Sequence, residues 1–249
     1  EDALKRIEEQ LLDPTTVEVP LRYPDLRRAA AENLRVYQRP IDGRCYVLGV
    51  DPSEGISEEG ADHDFSPIQV FDYTTWEQVA VLDGRHEPHD LGMIAVDLAR
   101  MYNNSLLVVE RNNHGHSVLN TIINHCGYPT QLNNQVSGVY THADYDARNP
   151  HRMTKPGWPQ NPKTRMQACN ALYSAIEDGT AIVRDRATWR QLNTFVKLPG
   201  GKIAGEAGTH DDLIIAMAIV MAVLPTTKPV RASAPKQQTQ VISRYGSYR

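Results

Sequence analysis

Cysteines and long apolar runs are both scarce in this 249-residue chain, and each shortage excludes a class of protein. The three cysteines, Cys45, Cys126 and Cys169, are odd in number and never spaced C-x-x-C. That argues against a disulfide framework or a thiolate zinc site and suits a reducing compartment. The longest apolar run, Leu213 to Leu224, has twelve residues, whereas a membrane-spanning helix needs about 20. A phosphate loop of the G-x-x-x-x-G-K-S/T kind is missing. The one Gly-Lys pair, Gly201-Lys202, is followed by Ile203 and has Val196 where the first glycine belongs. The chain starts at Glu1 with no charged-then-apolar leader, the expectation being a processed product or a piece of something longer.

What is present suffices for one large domain or two small ones: 41% of residues are hydrophobic and 22% charged. The net charge of −4 is unevenly spread. From Pro225 onward stand five bases (Lys228, Arg231, Lys236, Arg244, Arg249) and no acid, which leaves −9 on the rest. Rich in Pro, Ser, Gln and Thr, residues 226–249 read as a flexible basic tail. Residues 1–40 are charged and broken by Pro14, Pro20, Pro24 and Pro40. They read as a lead-in, with a short amphipathic helix over Leu4–Leu12.

Between them, residues 41–225 read as one α/β domain with a mixed sheet. Cys45 to Asp51 is an apolar strand ending in a carboxylate. Ser66–Tyr73 and Glu77–Leu82 form a hairpin, and His89–Tyr102 has a helical period. Leu106–Glu110 is a second apolar strand ending in an acid, followed by a helix over Gly115–Cys126 that Asn112-Asn113 would cap. Helices follow over Thr164–Ile176, Thr188–Phe195 and Asp211–Leu224. Between Tyr140 and Asn170 lies a long loop with four prolines and a local charge of +3. Its Lys155, Trp158, Lys163 and Arg165 combine bases with an aromatic, a mixture suited to a phosphate backbone.

Carboxylates occur where they are costly. Asp51 and Glu110 end apolar strands, and Asp211-Asp212 open the most apolar helix. Singly, Asp51 reads as a turn residue before Pro52, Glu110 as an ion-pair partner of Arg111, and Asp211 or Asp212 as a helix cap. Together, on neighbouring strands, they would repel unless a cation neutralised them. Oxygen ligands without thiolates select a hard divalent ion, Mg²⁺ or Mn²⁺. His86-Glu87-Pro88-His89 has its histidines three apart across a proline, not four apart on one helical turn, so it does not read as a zinc signature. His114-Gly115-His116 reads as a helix start.

Gly49-Val50-Asp51-Pro52-Ser53-Glu54-Gly55, Val108-Val109-Glu110-Arg111-Asn112-Asn113-His114-Gly115 and Gly208-Thr209-His210-Asp211-Asp212-Leu213 resemble the nuclease domain of the large terminase subunit of tailed bacteriophages. Thr154-Lys155-Pro156-Gly157-Trp158, Lys163-Thr164-Arg165 and Glu177-Asp178-Gly179 share the likeness, which covers about residues 43–224. It implies a ribonuclease-H-like (retroviral-integrase-like) fold, a mixed β-sheet with helices on both faces. It also implies an endonuclease that uses two divalent cations, Mg²⁺ or Mn²⁺, to cut concatemeric double-stranded viral DNA during packaging. By position Asp51 would bridge both ions, Glu110 would hold one, and Asp212, with Asp211 adjacent, would complete the other; His210 is a possible accessory. The partners implied are an ATPase domain (residues 1–40 being the link to it), the portal protein and the small terminase subunit, with no membrane. The place implied is the host cytoplasm at the procapsid portal. Two rival readings remain open: another nuclease of this fold, such as a Holliday-junction resolvase or transposase, and an actin- or sugar-kinase-like phosphotransferase. The second needs another phosphate loop, for which Gly200-Gly201 is a poor candidate.

Overall fold

The computed structural model describes residues 2–53, 65–146, 149–197 and 203–229. Glu54-Gly55, Arg148, Gly200-Gly201-Lys202 and the tail from Val230 lie outside the described residues. In chain order, α1 (Asp2–Glu8), α2 (Pro24–Asn33) and β1 (Leu34–Val36) lead into β2 (Tyr46–Val50), β3 (Ile68–Asp72) and β4 (Gln78–Leu82). Then come α3 (Pro88–Met101), β5 (Leu106–Arg111), α4 (Asn113–Asn120), a π-helical turn over Thr121–His125, and β6 (Gly138–Val139). A hairpin of β7 (Thr141–Asp146) and β8 (Asn149–Pro156) precedes β9 (Trp158–Pro159), α5 (Pro162–Glu177) and α6 (Arg186–Thr194). A small ribbon, β10 (Phe195–Lys197) and β11 (Ile203–Gly205), leads to α7 (Asp212–Val223).

The main sheet runs β1-β4-β3-β2-β5-β6, with β9 also on β5. It is antiparallel from β1 to β2 and parallel from β2 to β5 and β6. Both faces are buried, so the central strands are apolar throughout rather than alternating. Alternation survives in the direction of the side chains. Leu48, Val50, Leu107 and Val109 pack into one core with α2, α3 and α4. Val47, Leu106 and Val108 pack into the other with α5 and α7. Apolar all round, α7 is buried along its length between sheet and α5.

Two expectations need correction. Residues 1–40 are not a loose lead-in. Ala3 and Ile7 of α1 are core residues, Leu26 of α2 is fully buried, and β1 is the edge strand of the main sheet. The Tyr140–Asn170 stretch is not a loop but the β7–β8 hairpin, β9 and the first half of α5. Two of its prolines sit where they cost little: Pro156 ends β8, and Pro162 is at the start of α5, where no backbone N–H is needed. The expected tail begins attached, since Lys228 N donates to Asn134 O (2.7 Å).

Candidate metal centre

Parallel pairing brings the first two acids together. Val50 lies opposite Val109 and Gly49 opposite Val108, so Asp51 and Glu110 follow at the same level. Side-chain alternation then sets the face. Asp51 continues the Val47, Gly49 series and Glu110 the Leu106, Val108 series, and both series face α7. Glu110 is only 4% exposed, while Asp51 is half-buried.

Glycine brings the third acid close. A Cβ on Gly49 would overlap the Ala216 carbonyl oxygen and approach Val220 Cγ2 to 2.7 Å, so α7 lies directly on β2. From Ala216 back to Asp212 is about 6 Å of helix, and from Gly49 to Asp51 about 7 Å of strand. Asp212 therefore stands level with Asp51. The Asp51 carboxyl is pushed well above the usual carboxylate range. Burial contributes most, followed by the charge of Glu110, a hydrogen bond shared with Glu110, and the charges of Asp212 and Asp211.

Longer-range contacts fix the first turn of α7. Gln191 Oε1 accepts from Leu213 N (3.0 Å), and Gln69 Nε2 donates to Leu213 O (2.6 Å). Gln78 Nε2 donates to Gln69 Oε1 (2.7 Å), and Gln78 Oε1 accepts from the backbone of Arg184 and Asp185 (2.8 and 2.7 Å). Sequence reasoning missed all three glutamines. The signal was there for two of them: a glutamine inside a strand buried on both faces needs an internal partner.

The other anticipated residues divide. Asp211 is engaged elsewhere, its Oδ2 accepting from Arg165 Nη2 (2.8 Å) and from Gly205 N (3.3 Å), although its charge still reaches Asp51. Arg165, expected on DNA, is thus engaged by an acid. His210 Nδ1 lies 3.9 Å from Asp212 Oδ2, with its ring edge-on to Phe65. Trp158, expected to meet DNA, is 2% exposed. Its strand pairs with Glu110, and its ring packs beside Tyr140 and His142. A ring buried to that degree offers no face for a base to stack on. Lys155 and Lys163 are exposed. Asn112 caps α4 as expected, its Oδ1 accepting from Gly115 N (2.7 Å), while its Nδ2 donates to Pro52 O (2.8 Å) and ties the two strand ends together.

Among the described residues no three His, Cys, Asp or Glu side chains form a ready-made metal cage. The arrangement is an open one: two carboxyls in contact, with two more acting on them through charge. Such a set fits a hard cation of the Mg²⁺ type, which keeps several waters and takes one or two carboxylates plus substrate phosphates.

A mixed sheet covered on both faces, with acids converging at the ends of adjacent parallel strands, defines a ribonuclease-H-like α/β domain. More particularly, the fold is that of the large terminase nucleases. The large terminase nuclease from thermophilic phage G20c with bound magnesium superposes with a TM-score of 0.60 at 14% identity, covering 88% of this chain and 96% of that one. The same nuclease with bound zinc gives 0.57 at 13% identity, with 92% and 100% covered. The Thermus phage P74-26 large terminase nuclease domain gives 0.56 at 15%, with 87% and 92% covered. No family model matches the sequence, and no curated protein does. No helix among the described residues is long and apolar enough to cross a membrane.

Proposed function

We propose that this chain is the nuclease part of a large terminase subunit, an endonuclease that cuts concatemeric double-stranded viral DNA during genome packaging. The carrying observation is the meeting of Asp51 and Glu110 on the α7 face, with Asp212 level with them. Asp51, Glu110 and Asp212 would hold two Mg²⁺ or Mn²⁺ ions. When bound, such ions would supply Lewis-acid activation of a water and of the leaving oxygen in an in-line displacement. The protein's own part is placement. The glutamine contacts hold the Asp212 turn, Asn112 holds the strand ends, and Arg165 holds Asp211 aside. His210, beside Asp212, is positioned to orient that carboxylate or accept a proton. Lys155 and Lys163 would hold phosphates of the duplex. The nuclease would act with an ATPase domain, portal protein and small terminase subunit, at the procapsid portal in the host cytoplasm. Plasmid DNA should be cut with Mn²⁺ or Mg²⁺ and stay intact with EDTA or with Ca²⁺ alone. Full cleavage in EDTA would overturn the proposal.

A further inference from the structure

The glutamines that grip the first turn of α7 are themselves held, and the contacts that hold them end in β1. Gln78 Oε1 accepts from two backbone N–H groups, those of Arg184 and Asp185. Its amide can therefore face only one way, with Nε2 toward Gln69 Oε1 (2.7 Å) and Thr188 Oγ1 (3.1 Å). Gln69 is oriented in turn: with its oxygen taken, its Nε2 faces Leu213 O (2.6 Å). Gln69, Gln78 and Thr188 are fully buried, so each depends on these internal partners.

Thr188 Oγ1 can accept from the amides because it gives its own proton to Asp185 Oδ2 (2.9 Å). The same carboxylate oxygen caps α6, accepting from Thr188 N (2.7 Å). The other oxygen, Oδ1, accepts from Arg35 Nε and Tyr37 OH, both at 2.6 Å. Arg35 lies in β1 and Tyr37 directly follows it. Asp185 is 1% exposed, so these four donors account for its hydrogen bonding. One turn beyond Thr188, α6 also carries Gln191, whose Oε1 accepts from Leu213 N. Leu213 is thus gripped at its N–H and its C=O by side chains whose orientation traces back to Asp185.

We infer that Arg35 and Tyr37 are positioning residues for the metal centre: through Asp185 and α6 they set the place of Leu213, and with it that of Asp212. The inference rests on the nuclease reading above and adds what fixes its third acid. The need for such a device follows from the composition of α7. The helix is apolar all round, so packing alone distinguishes one rotation about its axis from another only weakly. A rotation by one residue, about 100°, would carry Asp212 away from Asp51. Hydrogen bonds have direction, and those on Leu213 select a single rotation. A buried ion pair such as Arg35–Asp185 adds little net stability, because desolvation offsets its attraction. Orientation is what it supplies here.

The test is Mn²⁺ affinity without DNA, read from the electron paramagnetic resonance of the free ion, beside the melting temperature of each variant. Arg35→Gln and Thr188→Val should weaken Mn²⁺ binding about ten-fold, the low end for partners that orient a metal ligand, and Tyr37→Phe should weaken it less. Thr188→Ser keeps the hydroxyl and should bring the affinity back. Asp97→Ala is the control for a loosened N-terminal segment, since Asp97 Oδ2 accepts from Asp25 N (3.0 Å) and Leu26 N (3.3 Å) at the start of α2. It should lower the melting temperature and leave Mn²⁺ affinity as it was. An equal loss of affinity in Asp97→Ala or in Thr188→Ser would overturn the inference. So would unaltered affinity in Arg35→Gln and Thr188→Val beside a wild type that binds Mn²⁺ and cuts DNA, an outcome that leaves the nuclease reading standing. A wild type that neither binds Mn²⁺ nor cuts DNA would overturn that reading and the inference with it.

Discussion

Asp51 is surrounded by three other acids, and its raised pKa has a consequence for stability. A carboxyl whose pKa is higher folded than unfolded binds more protons in the native state, so it costs stability as pH rises through the folded value. Metal-free protein should therefore lose melting temperature, through Asp51, as pH climbs from about 4 toward neutrality. Asp185 behaves oppositely. Burial would raise its pKa, but the Arg35 charge and hydrogen bonds from Arg35, Tyr37 and Thr188 pull it below the ordinary range. Its contribution is present above the unfolded value and is lost only as pH falls below about 4. The difference between wild type and Asp51→Asn isolates the first effect. The variant should hold or gain melting temperature at neutral pH, show a flatter acid-to-neutral profile, and lose cleavage almost completely, with Glu110→Gln matching it in cleavage. Surviving cleavage with a melting temperature lowered by the equivalent of about 1–3 kcal/mol would mean these acids are structural. The residues at strand ends were legible because alternation and an apolar run suffice to put Asp51 and Glu110 on one face. Trp158 was not, because its burial comes from pairing with a strand 48 positions earlier in the chain.

At the scale of elements, α7 decides whether the site has a third corner. Its apolar composition and the acids at its start could be read directly, but not which acid turns inward. That choice is made by Arg165 on α5 and by the Gly205 backbone, which take Asp211. Gln69 reaches Leu213 across 144 positions, a contact no local pattern encodes. Asp212→Asn should abolish cleavage. Asp211→Asn should leave most of it and cost about 0.2–1 kcal/mol, the range for a partly exposed ion pair. Equal, full activity in both would remove α7 from the site. Gly49→Ala tests the helix-to-strand contact, since the added methyl meets backbone rather than a yielding side chain. It should destabilise by about 1–3 kcal/mol, the cost of overpacking, and lower cleavage by moving Asp212. Unchanged melting and cleavage would show that α7 does not lie on β2 as described.

Over the whole molecule, the mixed sheet followed from apolar runs alternating with helical periods, and the helices on both faces from the family resemblance. The first 36 residues did not. Their charge and prolines suggested a connector, yet a few apolar positions (Ala3, Ile7, Leu26, Val36) are enough to bind them to the two cores. The β7–β8 hairpin escaped notice because its strands lack the apolar alternation that marks a half-buried pair. What the chain builds from these parts is a scaffold holding acids at the ends of the two central strands. Diffraction from crystals soaked in Mn²⁺, read at the manganese absorption edge, bears on that assembly most directly. Two anomalous peaks should appear among Asp51, Glu110 and Asp212, with Asp211 still on Arg165. No peak there, under conditions in which the same protein cuts DNA, would contradict the assignment of the metal centre.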